Sequence, residues 1–328
     1  MTGFFGLDWE KRNIKLEFMI EQNGFNTSLA GYFDCPQSNA NASYTGDVAS
    51  TTWRNIYLQN ATTRFNSKVT GYKFTVADLY GMQGLCAYET VAFGYSAFCD
   101  LFTYAEWEGY EYSIDLSFAG NQMFQAPAAR GTGIGYVQEL LARLTNSYAP
   151  VSGFNTNNNG TLDTSNVTFP LNQTLYFDFS HDTNIASILT AFNFTQFQPL
   201  LSATAIQPNR MLIISEISKF AARLDIEVIL APHPVSANRT CANDAYTNAT
   251  GPATKYIHFI LNQRTLPLFP GYPACGDRTD GWCELDKYLE QAHGLLAAAQ
   301  FDYSCFGNYS TVPYGTLHNG VPLPPGSS

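Results

Sequence analysis

From residue 175 an aromatic, apolar run, Leu175-Tyr-Phe-Asp-Phe-Ser, gives way to Ile185, Ile188, Leu189 and Phe192 at helical spacing. The pattern predicts a strand that hands over to a helix, with His181 and Asp182 at the junction. Upstream, helix-like runs at 48–65 and 75–88 alternate with Gly- and Asn-rich turns, and Thr75-Val-Ala-Asp78 has the spacing of a capping box. Beyond residue 110 the pattern changes. A helix at 135–144 and strands at 175–180, 210–215, 224–230 and 256–262 predict a layered α/β architecture. His258 alternates with apolar neighbours in the last of these strands and reads as a hydrogen-bonded sheet residue rather than a ligand. The run 155–160 reads as a polar surface loop, and residues 311–328, rich in Pro and Gly, as a flexible tail.

Composition narrows the picture. The 27 acidic against 17 basic residues, net charge -10, with no basic stripe, argue against a nucleic-acid partner. A surface this acidic keeps a protein soluble and opposes polyanions at neutral pH; in acid the field weakens, so an acid optimum would suit a phosphate substrate. No stretch approaches the ~20 apolar residues of a membrane span. Ten Asn-x-Ser/Thr sequons occur, at Asn26, Asn41, Asn60, Asn159, Asn166, Asn172, Asn193, Asn238, Asn248 and Asn308. With only 13% charged residues they point to a secreted glycoprotein, yet residues 1–10 have neither the basic region nor the apolar run of a signal peptide.

The His181-Asp182 junction is the candidate for chemistry. The carboxyl end of a strand in an open α/β sheet is where ligands bind, and the free N–H groups opening a helix favour an anion such as phosphate. Standing alone, the dipeptide reads equally well as a capping Asp182 beside a His181 that holds a turn. Competing motifs fit poorly. Gly94-Tyr-Ser96-Ala-Phe98 falls one residue short of a nucleophile elbow. Gly131-Thr-Gly-Ile-Gly135 lacks dinucleotide-loop spacing and reads as a turn opening a helix. No Cys/His spacing suggests zinc, and no cofactor is expected.

The surroundings of the junction are more specific. The segment 175–192 resembles the second signature of the histidine acid phosphatases, the superfamily that includes fungal phytases and phosphoglycerate-mutase-like proteins. Similar stretches follow in family order: Phe98-Cys-Asp-Leu-Phe-Thr-Tyr-Ala-Glu-Trp107, Gly133-Ile-Gly-Tyr-Val-Gln-Glu-Leu-Leu-Ala-Arg-Leu144, Phe169-Pro-Leu-Asn-Gln-Thr-Leu-Tyr176, Phe220-Ala-Ala-Arg223 and Cys275-Gly-Asp-Arg-Thr-Asp-Gly-Trp-Cys283. The resemblance implies a phosphoglycerate-mutase-like α/β sandwich with a smaller, mainly helical domain roofing the cleft. Residues 1–110 would be the cap, 111–310 the catalytic domain and 311–328 the tail. In such proteins a His of an Arg-His-Gly-x-Arg-x-Pro motif attacks phosphorus. Carried over by position, Asp182 is the general acid and His181 a phosphate-binding donor, with a small phosphate ester as substrate.

The departure from the family is large. No Arg-His-Gly occurs, and His233, His258, His293 and His318 lie in unrelated contexts. The nucleophile, and a second Arg preceding a segment like Phe4-Phe-Gly6, are expected upstream of residue 1, making this an N-terminally truncated chain. Loss of a central strand would then leave unpaired ladder groups and an apolar edge. Seven cysteines are odd for a secreted chain. Cys275 with Cys283 and Cys86 with Cys99 can close local loops, and the resemblance pairs Cys35 with Cys305. Cys241 remains, with its partner in the absent segment or none. After Glu106-Trp-Glu-Gly-Tyr-Glu-Tyr112 no base occurs through Phe118, where phytases tend to carry Lys and Arg. A broad acid phosphatase is therefore expected over a phytase, with Arg130 on the surface; the alternative is a non-catalytic secreted glycoprotein of the same fold.

Overall fold

Capping chemistry sets the first helices. The computed structural model describes residues 2–12, 14, 16–152, 156–239 and 250–326; Asn155, Cys241 and the sequon at Asn248 lie outside the described residues. After a short helix α1 (Thr2–Phe5) come α2 (Thr45–Tyr57), α3 (Gln59–Asn66), α4 (Val76–Phe93) and α5 (Tyr104–Asn121). Thr75 and Asp78 form the expected capping box at the start of α4, with Thr75 N–H on the Asp78 carboxylate at 2.8 Å. Thr103 and Glu106 form a second box at α5. The run read as one helix at 48–65 is two, divided at Leu58. The Gly94 end of the supposed elbow is the left-handed cap of α4, at φ 82°.

Helices α2 and α5 pack with no side chain between their closest points. A Cβ on Gly120 would lie 2.3 Å from the Gly46 nitrogen, and one on Gly109 would lie 2.4 Å from the Tyr57 ring. Trp53 donates its indole N–H to Gly109 O at 2.8 Å. Leu58, Ala61, Leu79 and Phe102 form a small core of their own, while Trp53 and Tyr112 join the large core that runs through the rest of the molecule.

That large core surrounds α6 (Ala129–Thr145), followed by α7 (Ala149–Ser152), α8 (Asp182–Ala191) and α9 (Ile214–Ile217). Helix α6 starts six residues before the predicted 135, so Gly131, Gly133 and Gly135 lie inside it rather than in a turn. Glycine weakens an isolated helix, and close packing is the compensation here. A Cβ on Gly133 would sit 2.3 Å from Ser187 O of α8, and one on Gly131 would sit 2.7 Å from the sulfur of Cys305. Three disulfides join Cys35 to Cys305, Cys86 to Cys99 and Cys275 to Cys283.

The sheet is small and antiparallel: β1 (Leu224–Ala231), β2 (Thr254–Leu261), β3 (Arg264–Leu266) and β4 (Cys283–Glu284), in the order β1-β2-β3 with β4 also on β2. Asn262 and Gln263, both at positive φ, make the two-residue turn between β2 and β3. Phe259 packs against Phe192 and Phe194 near α8 and against Tyr288 of α10 (Leu285–Ala298), which α11 (Phe301–Phe306) follows. His258 bonds Thr265 at 2.9 Å and sits beside Glu227, as its alternation predicted. The molecule is thus a mixed helix-and-sheet α/β protein, rich in helix.

Four expectations are corrected. Residues 175–180 form no ladder with any described strand, and Leu175, Phe177 and Phe179 are exposed. Residues 210–215 are a loop running into α9, because buried Asp115 accepts from Arg210 and from Ile214 N–H, each at 2.7 Å, in place of a strand partner. Within the stretch read as a flexible tail, Leu317 is buried and Gly320 exchanges backbone hydrogen bonds with Phe124 and Arg130. Arg130 is accordingly no surface residue: its guanidinium is buried on Asn319 O, the Asn319 amide oxygen and Asn193 Oδ1, at 2.6, 2.8 and 2.7 Å.

The contact at Gly133 sets a testable magnitude. Gly133→Ala places a methyl against α8 backbone and is expected to lower unfolding free energy by about 1–3 kcal/mol. The shift in urea midpoint measures it.

Candidate anion and acid site

Helix α8 begins at Asp182, with His181 as its N-cap in extended conformation. The His181 carbonyl accepts the first helical bond from Ile185 N–H at 2.9 Å, but its imidazole takes no part in capping. Both His181 and Asp182 are exposed. Asp182 Oδ1 accepts from the neighbouring Thr183 N–H, at 2.7 Å. Among the described residues no Lys or Arg pairs with either side chain. The junction therefore offers one imidazole, one carboxyl and the positive end of a ten-residue helix on the same surface.

The imidazole is engaged. His181 Nε2 lies 2.5 Å from Glu21 Oε1, and Tyr32 donates its hydroxyl to Glu21 Oε2 at 3.4 Å. The Tyr32 ring stands edge-on to the imidazole, centroids 6.3 Å apart. Partial burial, followed by the Glu21 and Asp182 carboxylates, raises the Tyr32 phenol above its ordinary value, so it stays a donor. Four groups from three separate stretches of chain thus converge: Glu21, Tyr32, His181 and Asp182.

Asn184 fastens this arrangement. It is fully buried, accepts Gly31 N–H at 3.1 Å, and donates to Ser28 O and Ser180 Oγ, each at 2.9 Å. Ser180 in turn donates to Leu29 O. These bonds tie the first turn of α8 to the 3-10 turn Ser28–Asp34, which carries Tyr32. The Asp34 carboxylate accepts Gly24 N–H and Thr27 N–H, closing the loop that leads back toward Glu21. Gly31 presses so closely on α6 that a Cβ would lie 2.1 Å from Thr132 O.

A second anchor holds the segment that feeds the junction. Asp178 accepts from both terminal nitrogens of Arg143 and from the Tyr136 hydroxyl, the last at 3.0 Å. Arg143 also lies over the rings of Phe169 and Tyr176. Burial acts to lower its pKa, but Asp178 outweighs burial and holds the guanidinium firmly charged. Beside it, Glu139 accepts from Asn158 at 3.2 Å. Burial, and then the nearby Asp163 carboxylate, push the Glu139 pKa up, and burial raises Asp163 as well.

Of the predicted sites, the structure brings His181 and Asp182 together and adds Glu21, Tyr32 and Asn184, which sequence reasoning missed. Only Asn184 carried a signal, being a polar residue in a helical first turn that proved buried. The sequons divide by side-chain environment. Asn41, Asn60, Asn166, Asn172, Asn238 and Asn308 are exposed and Asn26 is partly buried. Asn159 donates to Phe25 O at 2.6 Å, and Asn193 donates to Gly271 O while accepting Arg130. No helix among the described residues is long and apolar enough to cross a membrane.

A His-Asp pair opening an α8-like helix, beside a helical unit and a small sheet, can be set against known proteins. Residues 1–262 match the model of the histidine phosphatase superfamily (branch 2), and the chain belongs to that family. It is similar to Phytase A of Aspergillus terreus, at 36% identity over 253 residues, 76% of this chain and 50% of that protein. It is also similar to the thiamine-repressible acid phosphatase of Schizosaccharomyces pombe, at 28% identity over 94% of this chain and 61% of that one. The crystal structure of the phytase from D. castellii superposes with a TM-score of 0.66 at 20% identity, over 97% of this chain and 60% of that chain. The chain spans about half the length of the Phytase A relatives it matches.

Two outcomes follow from the buried groups. Asn184→Ala leaves Gly31 N–H and Ser28 O without their partner and is expected to cost about 1–3 kcal/mol in chemical denaturation. Glu139 has a pKa raised above its ordinary 4.5 by folding, so its stability contribution is complete below that value and is lost as pH rises through the folded pKa. Glu139→Gln is expected to flatten the fall in melting temperature between about pH 5 and pH 8, read by calorimetry.

Proposed function

We propose that this chain carries the general-acid and phosphate-binding half of a secreted phosphomonoester hydrolase. The observation that carries the reading is the junction itself: an Asp182 carboxyl with no Lys or Arg paired to it among the described residues, next to an exposed His181, at a helix N-terminus in a histidine phosphatase chain. Asp182 protonates the departing ester oxygen as the P–O bond breaks, which matters because an alkoxide is a poor leaving group. His181 donates a ring N–H to a phosphoryl oxygen and offsets the charge gathering there. The attacking imidazole belongs to an Arg-His-Gly-x-Arg-x-Pro segment, which is not among these 328 residues. Phosphohistidine forms on that residue, and water then releases phosphate.

Simple monoesters suit the site better than phytate. A hexakisphosphate calls for several cations, whereas here Glu21 stands beside His181 and, among the described residues, no Lys or Arg pairs with His181 or Asp182. The names of the relatives, phytase and acid phosphatase, support the chemistry without choosing between substrates. The sequons and three disulfides support an extracellular setting.

The test is hydrolysis of an aryl and an alkyl phosphate by the product of the complete reading frame and by the 328-residue chain. In whichever is active, Asp182→Asn is expected to lower kcat about a hundredfold for the alkyl ester and far less for the aryl ester, whose leaving group needs no acid. Equal losses on both esters would remove Asp182 from the acid's role. A folded product of the complete frame with no turnover would favour the non-catalytic glycoprotein.

A further inference from the structure

The partner of His181 Nε2 is the Glu21 carboxylate. Glu21 and His181 are both partly exposed, with 43% and 46% of their side-chain surfaces accessible, so the contact is open to exchange. Glu21 presents one oxygen to the imidazole and the other to Tyr32. Asp182 Oδ1, meanwhile, is occupied by Thr183 N–H. An incoming anion that uses Nε2 must first replace Glu21 there.

We propose that Glu21 determines which anions reach His181, by holding with its own carboxylate the position a phosphoryl oxygen would take. The proposal rests on the reading of His181 as a phosphate-binding donor. Replacement of a tethered carboxylate by a free one exchanges like for like: the same two oxygens, the same charge, and an added loss of freedom for the ligand. A phosphate ester brings a third oxygen and up to a second charge. One oxygen takes the imidazole, another takes the Tyr32 hydroxyl that Glu21 releases, and the remainder lies toward the helix N-terminus. Discrimination against carboxylates thus comes from a competitor built into the chain rather than from pocket shape, and no cation is needed to achieve it.

The experiment is a titration of the 328-residue chain with inorganic phosphate, and separately with acetate, followed by the imidazole signals of His181 in proton–nitrogen NMR at fixed pH and ionic strength. His181→Gln assigns the signals. Glu21→Gln is isosteric and lies on the surface, so the fold is retained. It is expected to tighten phosphate roughly threefold, the scale of an exposed ion pair, and to let acetate shift His181 where the parent chain shows no response. If phosphate moves His181 equally in both chains and acetate in neither, Glu21 is not the selector, while the anion site itself stands. If phosphate moves His181 in neither chain, the anion site falls and the proposal with it.

Discussion

Everything at the candidate site depends on a contact in which one helix lacks a side chain. Gly133 lets α6 lie directly on the Ser187 backbone of α8, and Gly131 leaves room for the Cys305 sulfur on the same helix. Because the separation is set by backbone against backbone, α8 cannot slide or rotate without a clash. Its N-terminus is therefore placed by the core, not by the loop that precedes it. Asn184 then uses that fixed origin to hold the turn bearing Tyr32. The accuracy of an exposed pair, His181 and Asp182, is inherited from packing some turns away.

The buried polar groups divide into two kinds. Arg143 with Asp178 and Arg210 with Asp115 are short, directional pairs that pin irregular chain to helices, and in each the carboxylate also takes a hydroxyl or amide proton. Such pairs contribute more to uniqueness than to net stability, since both charges had to leave water. Glu139 and Asp163 are of the other kind, carboxyls whose burial favours the proton and hence an acidic medium. A chain with net charge -10 also loses self-repulsion in acid, so the interior and the surface favour the same conditions.

How much of this was legible in the sequence follows from the range of each interaction. Local chemistry read correctly: the Thr75–Asp78 box, the helix opening at Asp182, and β1 and β2 with His258 in the latter. Alternation at 175–180 predicted a strand because alternation reports an extended chain with two unlike faces, and says nothing about whether a ladder partner is present. The spaced glycines of α6 read as a turn because the neighbours that need the space, Asn157, Ser187 and Cys305, lie well away from them in the chain. Glu21, Tyr32 and the role of Asn184 were invisible for the same cause, each being defined by a partner on a distant segment.

The docking of residues 317–320 has a bearing on biosynthesis. Arg130 is buried in the first turn of α6, yet its carbonyl partners at Asn319 are separated from it by 189 positions. While the ribosome is still making the intervening chain, that guanidinium has no Asn319 to enter with, and water remains its better environment. Cys35 likewise waits for Cys305, 270 residues on. The large core is thus closed by residues that emerge long after α6 itself. Nascent chains stalled or clipped short of residue 319 would present the α6–α8 face unsealed to chaperones and proteases, which gives quality control a direct reading of whether residues 305–320 have been made.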